Sequence, residues 1–127
     1  MVYLIWQVLK IKKLLTLLAV VCATSIVAQA PPSYTAVEAA KHVGQTAVVT
    51  DKVASVHQSP RGQIFLYMGG ANPNQAFTAS IPAASAAQFS RVQTYKGQMV
   101  AVSGKIVLFG GKPGIVVNSP SQISVLR

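Results

Sequence analysis

Two long β-branched runs constrain this chain more than any other feature. TAVVTDKVASVH (residues 46–57) and QMVAVSGKIVLF (residues 98–109) are rich in Val, Thr and Ile, which suit a pleated, half-buried surface. In the second run Val100, Val102, Ile106 and Leu108 share one parity, and Gly104 falls on the same parity. A glycine in mid-strand marks a bend where a sheet curls.

The remaining elements are punctuated by turn residues. SPRGQ (59–63) is a turn, IFLYMG (64–69) a second strand, and GANPNQ (70–75) a loop. AFTASI (76–81) alternates Phe77, Ala79 and Ile81 with Thr78 and Ser80, the pattern of a strand with one wet face. Pro82 opens the alanine-rich PAASAAQFS, read as a helix anchored by Phe89, since proline is tolerated at a first helical position. IVVN (115–118) is a last strand that ends at Ser119-Pro120. Upstream, Thr35-Ala36-Val37-Glu38 fits a capping box. Val37, Ala40 and Val43 then recur at helical spacing, with Gly44 as the stop. Three strands, a helix and two more strands give an all-β chain with little helix. This is a five-stranded OB-fold barrel with a helix between strands three and four and a short N-terminal helix. A β-sandwich of this size would show about seven strands and no internal helix.

The first thirty residues differ from the rest. Lys10, Lys12 and Lys13 precede an uncharged run from Leu14 to Val27 and the small-residue site Ala28-Gln29-Ala30. These are the parts of a secretory signal, with cleavage expected after Ala30 and a single domain over residues 31–127. The run is shorter than the roughly 18 apolar residues of a membrane anchor, so no membrane span is expected after cleavage. The expected location is a periplasm or the extracellular medium. Cys22 is the only cysteine and lies inside that run. The mature chain therefore offers no disulfide and no thiolate metal site.

With these elements in place, two stretches resemble a known family. IFLYMGGANPNQAFTASI is similar to the strand–loop–strand of small exported bacterial OB-fold proteins, the tRNA-anti-like OB-fold family. MVAVSGKIVLFGGKPGIVVNSPSQI is similar to their ending, with its glycine-lysine-proline loop and closing S-P-S-Q-I. The resemblance spans about residues 35 to 125. It implies the OB barrel and a nucleic-acid-binding role. Three positions depart from the family pattern: Asn72 stands for an aromatic residue, Asp51 for glycine and Gly114 for glutamine.

Charge and residue types narrow the function further. Residues 31–127 carry eight Lys and Arg against only Glu38 and Asp51, eight minus two, a net charge of +6 with both histidines neutral. So basic a domain points to a polyanionic partner. Two carboxylates are too few for metal-assisted phosphodiester hydrolysis, and no His/Cys cluster has zinc spacing. Asp51 and His57 lie about 20 Å apart along an extended strand at ~3.3 Å per residue, too far for a triad hydrogen bond. His42 is read as a solvated residue at the helix end. No catalytic residue, metal or cofactor is expected.

An OB-fold binds along its second and third strands and the two flanking loops. Single strands want aromatic faces for bases and cations for phosphates. If Ile64, Leu66 and Met68 take the core, Phe65 and Tyr67 face outward beside Thr78 and Ser80; the alternative parity puts the two aromatics in the core and the aliphatics outside. Lys105 and Phe109 share the outward parity of their strand, Arg61 sits in the turn on the other rim, and Lys112 stands at the tip of the GGKPG loop. In that loop the glycines let the backbone turn, and Pro113 stiffens the start of the last strand. The expected role is an exported, non-enzymatic module for single-stranded nucleic acid with low sequence preference. The alternative is an envelope protein for an anionic polymer, a small molecule or a protein partner.

Overall fold

The structure, a computed structural model, describes residues 30–127. The secretory signal expected over residues 1–30 therefore lies outside the described residues except for Ala30. Pro31–Arg127 forms one compact unit. Among the described residues no helix is long and apolar enough to cross a membrane.

Seven strands follow one another in the chain: β1 (Ser33–Tyr34), β2 (Thr46–Gln58), β3 (Ile64–Met68), β4 (Phe77–Ile81), β5 (Met99–Phe109), β6 (Lys112–Val116) and β7 (Ile123–Val125). Their lateral order is β1-β2-β3-β4-β6-β5-β7, and a further β2–β5 pairing closes β2, β3, β4, β6 and β5 into a ring. This is the five-stranded OB barrel. The two additional strands are short edges: β1 lies parallel to β2, and β7 antiparallel to β5.

The ring closes because the two long strands each serve two neighbours. Residues 46–52 of β2 pair with β5; from Val53 onward, across an irregularity between Val53 and Ser55, β2 pairs with β3. In β5 the change of neighbour comes between Lys105 and Ile106, just past Gly104, whose φ is +153°. Only glycine adopts that conformation readily. A Cβ there would also stand 2.7 Å from Ile115 Cγ2. The glycine that the sequence marks as a bend is the hinge between the two halves of the barrel.

Inside the ring, alternate residues of each strand meet. Val49, Val53, Leu66, Met68, Phe77, Ile81, Val100, Val102, Ile106 and Ile115 are all essentially inaccessible. Beyond α1 (Ala83–Ala86), Phe89 and Val92, the latter in the 3₁₀ turn Val92–Tyr95, join this buried core. A further 3₁₀ turn, Pro120–Gln122, leads into β7. Gln122 secures it: its Nε2 donates to the Ser103 and Val116 carbonyls, while its Oε1 accepts from the Asn118 and Ser119 amides.

Several expectations require correction. The N-terminal helix is a single 3₁₀ turn, Glu38–Lys41. Its reciprocal cap does form, with the Thr35 amide donating to Glu38 Oε1 and the Glu38 amide to Thr35 Oγ1. Its buried side is Ala36 and Ala39, whereas Val37 and Val43 are 70% and 42% exposed. Ala36 is set in place by its amide hydrogen bond to Asp51 Oδ2, and the wider 3.6-residue spacing does not apply to so short a turn. Leu108 leaves the core series and is 59% exposed. The β5–β6 hairpin overhangs the barrel there, since β4 joins β6 only from Gly114. Thr78 is buried rather than wet. The strand read as IVVN is β6, which begins at Lys112, three residues earlier, and it is not the last: β7 follows it.

Candidate functional site

The outer face of the ring is assembled by register. Opposite one another across β2, β3, β4, β6 and β5 stand Ser55, Tyr67, Thr78, Gly114 and Val107. The neighbouring row runs His57, Phe65, Ser80 and Val116. Ile64, Leu66 and Met68 are buried and Phe65 and Tyr67 half-buried, so the aliphatic parity of β3 takes the core and the aromatic parity faces out.

Three rings line up on this face. His57 and Phe65 lie with centroids 6.4 Å apart and planes 14° from parallel. Phe65 and Tyr67 repeat the arrangement at 6.3 Å and 14°. Such an offset, near-parallel ladder leaves π-faces and edges open to a planar partner. In the sequence His57 stands out only as a triad candidate with Asp51; the structure gives it a place in this row. The signal was present: the turn over residues 59–63 sets Gln58 opposite Ile64 and hence His57 opposite Phe65.

On the far side of the floor formed by Thr78 and Ser80, Phe109 completes the face. A Cβ on Gly114 would collide with the Phe109 ring and with the Thr78 carbonyl. The absence of a side chain at residue 114 is therefore what admits this ring.

The cations are distributed otherwise than expected. Gly110 and Gly111, at φ +55° and +83°, make a two-residue turn between the paired Phe109 and Lys112, the conformation a tight hairpin requires. The GGKPG stretch is thus a hairpin, not an open loop. Lys112 stands inside β6, and its Nζ donates to the Pro73 carbonyl at 2.6 Å. It ties the hairpin to the 70–75 loop instead of reaching out from a tip. Arg61 is exposed in the β2–β3 turn. Lys105 is exposed opposite Thr46, at the start of β2, whereas Phe65 lies opposite His57 near its end. The structure thus brings Phe65, Tyr67 and Phe109 onto one face, puts Arg61 at its rim, and sets Lys105 toward its other margin.

Both carboxylates are engaged with backbone. Asp51 accepts from the Ala36 and Lys52 amides. The Thr35 side chain, then its backbone amide, hold the Glu38 carboxyl below its ordinary range. His42 is not simply solvated: it stacks on Tyr34 at 3.8 Å and 5°, and the Tyr34 hydroxyl donates to Gln45. Among the described residues no group of three or more His, Cys, Asp and Glu is placed to hold a metal ion.

An open cleft of about 390 Å³ adjoins the ladder, lined by Ser55, Val56, His57, Tyr67, Ala71 and Asn72. It lies where β2 and β3 meet the 70–75 loop.

The chain matches no protein-family model and no curated protein sequence. It is similar in fold to a chain described as an aspartyl-tRNA synthetase from Leishmania major Friedlin, with TM-score 0.53 and 10% identity. That match covers 80% of this chain and 22% of the synthetase, so the chain spans about a fifth of that protein's length. It is also similar to an OBody, AM1L10, solved bound to hen egg-white lysozyme, with TM-score 0.52, 19% identity and coverage of 80% and 99%. At these identities the likeness establishes the fold.

Proposed function

We propose that this protein is an exported, non-enzymatic OB-fold module that binds single-stranded nucleic acid on the outer face of β3 and β4. The ladder of His57, Phe65 and Tyr67 carries the reading. Parallel rings on the strands an OB-fold uses for binding offer successive bases a stacking surface. The basic balance of residues 31–127 and the structural likeness to a tRNA synthetase chain support it. The non-enzymatic part rests on the two carboxylates, both occupied by backbone amides. Export rests on the signal-like first thirty residues.

Fluorescence anisotropy of a labelled oligothymidine across a salt series tests the reading. Micromolar or tighter binding is expected, weakening with log salt at a slope of about −0.7 per neutralised phosphate. No binding at low salt overturns it in favour of an anionic envelope polymer, a small molecule or a protein partner.

A further inference from the structure

The ladder stacks bases without telling them apart, since every base has a π-face. The cleft at its Tyr67 end is of another kind. Its apolar walls are the Tyr67 ring, Val56 and Ala71, and its polar groups are Ser55, His57 and the exposed Asn72. At about 390 Å³ it has room for a bicyclic base. The 70–75 loop that forms its rim is held in place: Lys112 grips the Pro73 carbonyl and the Asn74 amide donates to the Ala71 carbonyl. A side chain on a pinned loop can read an edge, because little ordering remains to be done on binding.

We propose that this cleft is a base-reading subsite, taking one unstacked nucleobase, adenine above the others, with its edge against the Asn72 side chain. The inference rests on the nucleic-acid reading of the adjoining ladder and adds selectivity to it. An asparagine amide presents one donor and one acceptor side by side, the complement of the N6 donor and N7 acceptor of adenine. Tyr67 supplies a face for the ring, and Ser55 and His57, which also line the cleft, offer partners for the remaining polar groups. Selectivity comes from the β3–β4 loop rather than from the barrel face.

The test compares oligodeoxyadenylate, oligodeoxycytidylate and oligothymidylate of equal length on the full chain by anisotropy. Adenylate is expected to bind about tenfold more tightly than the other two, the discrimination of one bidentate amide contact. Asn72→Ala should remove that preference while thymidylate binding persists. Asn72→Asp, which replaces the amide donor with a second acceptor, should shift preference toward cytidylate, whose N4 is a donor. Equal affinities in the wild-type chain would overturn the subsite and leave the ladder standing, as would a preference that survives both substitutions. Failure of all three oligonucleotides to bind would overturn the reading of the face itself.

Discussion

The ring of Phe109 lies across the backbone of Gly114, two strands away from Tyr67 on the same outer face of the barrel. The two residues form one unit, because the ring occupies the space a side chain on residue 114 would need. Gly114→Gln is expected to displace the Phe109 ring and to press on the Thr78 carbonyl, costing at least the roughly 1–3 kcal/mol of overpacking. Thermal unfolding of Gly114→Gln, Phe109→Ala and the double variant measures this. Additive effects in that cycle would show that the two positions are independent.

The aromatic ladder makes a graded prediction. Substituting Phe65 or Tyr67 by Ala should weaken oligothymidine binding by about 1–3 kcal/mol each, the range for one base-stacking ring. His57→Ala should weaken it to a smaller degree, since the imidazole is the smaller face at the end of the row. All three rings lie outside the barrel, so far-UV circular dichroism should stay unchanged. Full binding by a Phe65→Ala, Tyr67→Ala variant would remove the platform.

Lys112 and Arg61 should behave differently although both are cations on the binding side. Lys112 already donates to Pro73, so Lys112→Ala should lower the unfolding temperature with little change in the salt slope of binding. Arg61 is exposed in the β2–β3 turn, and Arg61→Ala should reduce that slope by about 0.7 with no loss of stability. The reverse pattern would show that Lys112 is released to the ligand.

Gln122 bonds four backbone groups beside the Gly104 bend. Gln122→Ala leaves the part-buried Ser103 carbonyl and Ser119 amide unsatisfied and should cost about 1–3 kcal/mol. Gln122→Glu keeps the acceptor but loses the donors to Ser103 and Val116, and should retain part of the stability. Urea denaturation distinguishes the three chains.

Acid should act through the cap at Glu38. Its pKa is lowered in the folded state by Thr35. The associated stability is therefore present above the ordinary glutamate range and is lost as pH falls through the lower folded value. Glu38→Gln retains the cap geometry without the charge, so its stability should fall less steeply with acid than that of the wild-type chain. Parallel acid slopes in chemical denaturation would refute the assignment.

Residue pattern alone determined the barrel and the succession of its five strands along the chain, and it narrowed β3 to two alternative faces, between which the structure chose; the short edges β1 and β7 it did not reveal. Strand parity is a local property: once Ile64, Leu66 and Met68 take the core, Phe65 and Tyr67 have one side left to occupy. The bend at Gly104 is local in the same sense, since a left-handed φ selects glycine wherever it occurs. Tertiary structure decided what lies between distant segments. The Lys112 contact with Pro73, Gly114 beneath Phe109, and the cleft between Tyr67 and Asn72 all depend on strands meeting around the closed ring. No spacing along the chain encodes such a meeting. Val37, Val43 and Leu108 make the same point from the other side: their apolarity is visible in the sequence, but burial requires a neighbour, and the ring supplies them too little cover.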